Sequence, residues 1–214
     1  MPAEREDIVA RLDRQKSLHI GILVFPDVEV LDFAGPFEVF SVAARMALRR
    51  PEFSVAPFKV STVGAARAPV MARHGLQVLP HHGFDDVPPI DLLIVPGGIV
   101  TQPAQDADTL DWIRRTSETA ALTASVCTGA FLLAKVGLLE GLTVTTHWED
   151  LPDLRTEFPG LNVVENVPYV DQGGIVTSAG ISAGIGMSLH LVRRILGEEL
   201  AVRTARQMQY DWAP

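Results

Sequence analysis

A chain of 214 residues, 47 % of them hydrophobic, suits one domain with a sizeable core, and a net charge of −8 argues against a face that binds nucleic acid. Its single cysteine excludes an intrachain disulfide and any multi-cysteine metal centre, and an unpaired thiol suits a reducing compartment. The first 17 residues are strongly charged with no apolar stretch of signal-peptide length, and no run is long enough for a transmembrane helix, so a cytoplasmic protein without a membrane partner is expected.

Taken in chain order, residues 4–15 read as a short amphipathic helix with Ile8, Val9 and Leu12 on one face. This segment is expected to be an N-terminal helical extension (1–17) on a domain spanning 18–214. Residues 19–25 form an apolar run of strand length, ended by Pro26-Asp27, and 31–46 read as a helix with Phe33, Phe37 and Phe40 at helical spacing. A second strand is predicted over 58–63 and a hairpin over 70–79 around His74-Gly75. A buried strand over 91–95 stops at Pro96-Gly97-Gly98, and a helix follows over 106–117. A strand over 121–126 runs into a helix over 128–136 without a spacer. Further strands are predicted at 142–145, 162–164 and 174–177, then helices at 185–196 and 199–209. The Arg49-Arg50, Arg114-Arg115 and Arg193-Arg194 pairs fall at or near predicted helix ends. Continuous apolar strands alternating with helices predict an α/β domain, a parallel-rich sheet covered on both faces, which places ligands at the carboxyl ends of its strands.

Four segments meet that edge. Cys127, between strand and helix, has its thiol at a helix N-terminus, where the dipole and free N–H groups favour the nucleophilic thiolate. Against this stands the reading of a buried, inert cysteine. Gly97 and Gly98 let backbone amides approach a ligand and form an oxyanion-type hole, although glycine pairs after strands are also common turns. Asp32, an acid among apolar residues, is either a helix N-cap or a buried functional group. His147, beside Trp148, is either a packed structural residue or part of the site.

Other signals are weaker. Gly180-Ile181-Ser182-Ala183-Gly184 fits a Gly-x-Ser-x-Gly elbow, but the acid and histidine that must follow are in the wrong order, with His190 before Asp211. His81 and His82, with His74 nearby, have no accompanying carboxylates at metal spacing and read as a polar loop, so no metal is expected. Trp112, Trp148 and Trp212 read as core or interface residues rather than a platform for bases.

The segments Asp32-Phe33-Ala34-Gly35-Pro36, Pro96-Gly97-Gly98, Ser125-Val126-Cys127-Thr128-Gly129 and Thr145-Thr146-His147-Trp148, followed by Thr177-Ser178-Ala179-Gly180, together resemble the ThiJ/PfpI superfamily over residues 19–209. The resemblance implies a class I glutamine-amidotransferase-like fold, a flavodoxin-like sandwich. The protease-like and deglycase-like branches have His where this chain has Thr128, and those branches and the oxidative-stress branch have Glu where it has Asp32. The Cys-Thr pair with an Asp is similar to the isonitrile hydratase branch. The same segment, with Leu191-Val192-Arg193-Arg194, is also similar to the ligand-sensing domain of AraC-type regulators, whose DNA-reading module would lie beyond Pro214 and is not expected here.

The resemblance implies Cys127 as nucleophile, Asp32 as general acid and base, and Thr128 with Gly98 holding polar atoms. Gly97, Gly98, His147 and Ile181 are expected to contact the substrate in an otherwise apolar pocket. It also implies a small-molecule substrate, a homodimer and no cofactor. The alternatives are a non-catalytic small-molecule sensor and a thiol-based redox protein.

Overall fold

Strands covered on both faces carry apolar residues without alternation. Four such runs become fully buried strands in the computed structural model, which describes residues 7–13 and 15–213. In chain order the elements are β1 (Leu18–Leu23), α1 (Val30–Ala47), β2 (Phe58–Val63), the short β3 (Val70–Met71) and β4 (Gln77–Val78), β5 (Leu92–Val95), α2 (Ala107–Thr119), β6 (Leu122–Val126), α3 (Gly129–Lys135), β7 (Thr143–Val144), α4 (Leu151–Glu157), β8 (Asn162–Val163), β9 (Tyr169–Asp171), β10 (Ile175–Ser178), α5 (Ala183–Leu196) and α6 (Glu198–Gln207).

The main sheet has the order β2-β1-β5-β6-β10-β9 and is parallel except at β9, which pairs antiparallel with β10. From β1 the chain passes outward to β2, then returns to place β5 on the other side of β1. Right-handed crossovers therefore put α1 on one face and α2 on the other. Helices α5 and α6 pack against α1, while α3 packs beside α2. This is the parallel-rich, helix-covered sheet expected from the sequence. The reversal of winding between β1 and β5 opens a crevice at the carboxyl ends of those strands. The segments that follow β1, β5 and β6 carry Asp32, Gly97-Gly98 and Cys127 to it.

At the opposite end His19 is buried within β1. Its Nδ1 lies 3.0 Å from the Pro89 carbonyl and its Nε2 2.6 Å from Ser61 Oγ. Burial holds its pKa below the usual histidine value, which favours the neutral ring.

Several expectations change. The helix over 4–15 lies partly outside the described residues, and residues 7–13 form turns, with Ile8 nevertheless buried in the core. An Asp at position 7, whose side chain accepts from the Val9 N–H, holds a local turn in place of a helix. The strands at 142–145 and 162–164 do not join the main sheet; β7 and β8 pair with each other as a separate two-stranded sheet. Trp112 is in the core, whereas Trp148 is 70 % exposed. Among the described residues, no helix is long and apolar enough to cross a membrane.

Candidate active site

The passage from β6 into α3 leaves only Cys127 and Thr128 for the turn, and the reversal falls on Cys127. Its φ of 57° lies in the left-handed region that L-residues avoid. The turn is over-determined. The Cys127 N–H faces the Ser178 and Ala179 carbonyls at 3.2 and 3.3 Å, and the Cys127 carbonyl accepts from Thr146 Oγ1 at 2.8 Å. A second left-handed residue lies in the turn after β10, at Ile181, with φ 52°. For a β-branched residue this is a costly conformation, of the kind that clusters at functional sites. The N–H groups of Thr128 and Ile181 both act on the Cys127 sulphur and favour its thiolate.

Asp32 does not cap α1. Glu29 occupies the cap position, and Asp32, in the first turn, is fully buried. Its Oδ2 accepts from the Gly97 N–H at 3.1 Å, and its Oδ1 has no hydrogen bond of normal geometry. Pro36, four residues on, has no N–H to give the Asp32 carbonyl, so the helix is locally released at this residue. Burial is the main cause that raises the Asp32 pKa to about 7; the Gly97 N–H and the Cys127 thiol oppose it, and the Glu29 charge adds to it. Burial, then the Asp32 charge, pushes the Cys127 thiol up to about 12. The helix N-terminus favours an acidic thiol, but desolvation and a neighbouring carboxylate outweigh it.

Gly98, with φ 132°, closes against the segment after β1, where a Cβ would meet the Glu29 nitrogen at 2.6 Å. Its N–H donates to Thr128 Oγ1 at 2.9 Å, and the Thr128 hydroxyl donates back to the Gly98 carbonyl at 3.0 Å. These two groups, expected to hold reacting atoms, hold one another instead, because a hydroxyl set against a peptide unit satisfies both its donor and its acceptor. The Gly97 N–H is likewise committed to Asp32. His147 places Nδ1 3.1 Å from Asp150 Oδ2, and its ring packs so closely on Gly180 that a methyl there would overlap it. Asp150, whose charge also raises the Cys127 pKa, was not singled out from sequence, although it lies three residues after His147 and so within reach on one helical turn.

Ser182, the other candidate nucleophile, has φ −68°, so the strained position of that motif falls on Ile181 and not on the serine. His190 pairs with Asp171 at 2.7 Å on the β9 side of α5. Among the described residues, no group of three His, Cys, Asp or Glu side chains is placed to hold a metal ion.

Beside the elbow opens a cleft of about 590 Å³, bordered by Gly98 and Thr128. Ile99, Val100 and Phe131 line it, but so do Lys135, Asp150, Asp153 and Glu157. The expected apolar pocket is therefore mixed, because α4, absent from the predicted elements, brings acids to its wall.

A family model described as the DJ-1/PfpI family matches residues 19–194. The chain is 36 % identical over 199 residues to the isonitrile hydratase of Pseudomonas putida, an alignment covering 92 % of this chain and 81 % of that protein. It is 28 % identical over 192 residues to the HTH-type transcriptional regulator GbdR of Pseudomonas aeruginosa, covering 90 % of this chain and 50 % of the regulator. Among solved structures, a ThiJ/PfpI family protein from Pseudomonas syringae superposes with a TM-score of 0.80 at 26 % identity, covering 100 % of this chain and 83 % of the other.

Proposed function

The chain belongs to the DJ-1/PfpI family, and from that membership we propose that it is a cysteine-dependent hydratase that converts an isonitrile, R–N≡C, and water into the formamide R–NH–CHO. One observation carries the reading: the only thiol of the sequence stands on a left-handed elbow and interacts with a fully buried carboxyl group whose pKa is near 7. The 36 % identity to an isonitrile hydratase supports the substrate class.

Asp32 and Cys127 together hold one proton from about pH 7 to about pH 12. The sulphur attacks the terminal carbon, and the shared proton passes to that carbon, giving R–N=CH–S–Cys127. The Asp32 carboxylate then takes a proton from water as the water oxygen adds to the same carbon, and that proton passes to nitrogen. The adduct R–NH–CH(OH)–S–Cys127 collapses as its C–S bond breaks, and the hydroxyl proton returns to the pair through Asp32. One water is added and no electrons are exchanged. A carboxyl group with a pKa near neutrality suits both halves of this exchange. The Gly97 N–H orients Asp32, and the amides of Thr128 and Ile181 stabilise the departing thiolate. His147 orients the wall beside the thiol through Asp150. The partners of this reading are a small-molecule substrate and a second copy of the chain, and its steps call on no cofactor.

The test is formamide production from an aliphatic isonitrile by the purified protein. Turnover is expected, with loss of at least a thousandfold in Cys127→Ala; turnover that survives this substitution excludes the mechanism. The identity to GbdR favours a second reading, a small-molecule sensor that uses the same crevice without chemistry. Tight binding of an isonitrile with no formamide formed would select it.

A further inference from the structure

We propose that the cleft beside Thr128 seats the substrate's side group and selects one that carries an alkylammonium cation. The inference rests on the reading that chemistry occurs at Cys127 and names the side of the substrate that the reaction leaves unchanged. The cleft is continuous with the elbow, since Gly98 and Thr128, hydrogen-bonded to each other, form part of its wall. Its volume of about 590 Å³ is that of a pocket for a small organic group.

Its charge is not balanced. Asp153 and Glu157 stand at i and i+4 on α4, a spacing that puts two like charges side by side and costs a helix stability. Neither makes an ion pair among the described residues, whereas Asp150, on the same wall, engages His147. Among the described residues, Lys135 is the one cation that lines the cleft. Of the uncharged wall, Ile99, Val100, Ala104 and Phe131 supply an apolar side, and Thr101, Gln105, Thr128 and Thr156 a polar one. Carboxylates together with an aromatic ring are the features that attract a weakly hydrated organic cation, which gains from both charge and ring. A compact metal ion would gain nothing from the apolar side. The Asp150 charge already reaches the Cys127 sulphur, so cleft and thiol share one field.

Two measurements separate this inference from the hydratase reading. The first labels Cys127, the chain's only cysteine, with trimethylammonioethyl, sulfonatoethyl and uncharged methyl methanethiosulfonates. In each the thiolate displaces methanesulfinate and forms a mixed disulfide. Rates are divided by those for a free thiol, which removes intrinsic reactivity. The cationic reagent is expected to react about fivefold faster than the uncharged one at low ionic strength, and the preference should shrink as salt screens the carboxylates. Asp153→Asn with Glu157→Gln should abolish the preference, while a control with the same loss of charge far from the cleft, Glu198→Gln with Asp211→Asn, should keep it. No preference, or one that persists in the cleft variant or vanishes equally in the control, overturns the inference.

The second compares kcat/KM for trimethylammonioethyl isocyanide and its uncharged tert-butyl isostere. Turnover of both without a cation preference overturns the cleft and leaves the hydratase reading standing. A labelling preference with no formamide from either compound upholds the cleft and overturns the hydratase reading.

Discussion

Asp32 sets the pH behaviour of the site and part of the stability of the fold. With one proton shared between Asp32 and Cys127 as the working state, kcat/KM is expected to rise with pH through about 7 and then level off. A pH–rate profile measured with one isonitrile checks this, and a profile falling through neutrality would contradict it. The stability consequence has the opposite sign. A carboxyl group with a pKa raised from 3.8 to about 7 keeps its proton better when folded than when unfolded, so folding is favoured at low pH. Stability is lost as pH rises from about 4 to about 7, by up to about 4 kcal/mol before other groups are counted. Denaturant titrations across that interval should show the fall in the native protein and a flatter curve in Asp32→Asn. The same variant should lose turnover yet alkylate faster at alkaline pH, because removing the Asp32 charge lets the Cys127 thiol ionise more readily.

At the level of elements, the elbow between β6 and α3 separates the thiol's chemistry from its backbone. Cys127→Ala and Cys127→Gly both delete the sulphur, but only glycine adopts a φ of 57° without cost. Cys127→Gly should therefore be more stable than Cys127→Ala by about 1 kcal/mol in thermal or denaturant unfolding. The main strands and long helices were legible in the sequence because each is set by local patterning: an apolar run for β1, β5 and β6, and helical spacing for α1 and α5. The short α4 was not. It spans seven residues, begins Leu151-Pro152, and exposes Asp153, Arg155, Thr156 and Glu157, so no apolar stripe marks it. β9, three half-buried residues, is held by pairing with β10, which no local pattern reveals. Cys127, Asp32 and Gly97 stand out in the sequence by their turns, and they do converge. The left-handed Ile181 and the mutual bonding of Thr128 and Gly98 depend on side chains and peptides meeting across separate loops, and sequence spacing carries no trace of that.

For the whole molecule, the described residues before β1 pack onto the domain. Ile8 is buried in the main core, Arg11 pairs with Asp91 at 3.3 Å, and Arg194 lies 3.6 Å from Asp7. Ile8→Ala should cost about 3 kcal/mol in unfolding free energy, the usual penalty for emptying a fully buried aliphatic site. A surface segment that merely touched the domain would lose less than 1 kcal/mol. The homodimer proposed above would show in light scattering as twice the chain mass of 23.2 kDa.

The strand order also fixes when the thiol becomes enclosed. β6 lies between β5 and β10, and the carbonyls that fix Cys127 come from Ser178 and Ala179, some fifty residues downstream. Without β10 those carbonyls are missing and the sheet beside Cys127 is incomplete, so Cys127 is expected to alkylate as an ordinary thiol; in the native structure it is buried and its pKa is raised. A chain emerging from synthesis or refolding from denaturant therefore carries its own clock. The fall in Cys127 alkylation rate from the unfolded to the native value should track the arrival of the last parallel strand, so that one cysteine reports the closing of the sheet without any introduced probe.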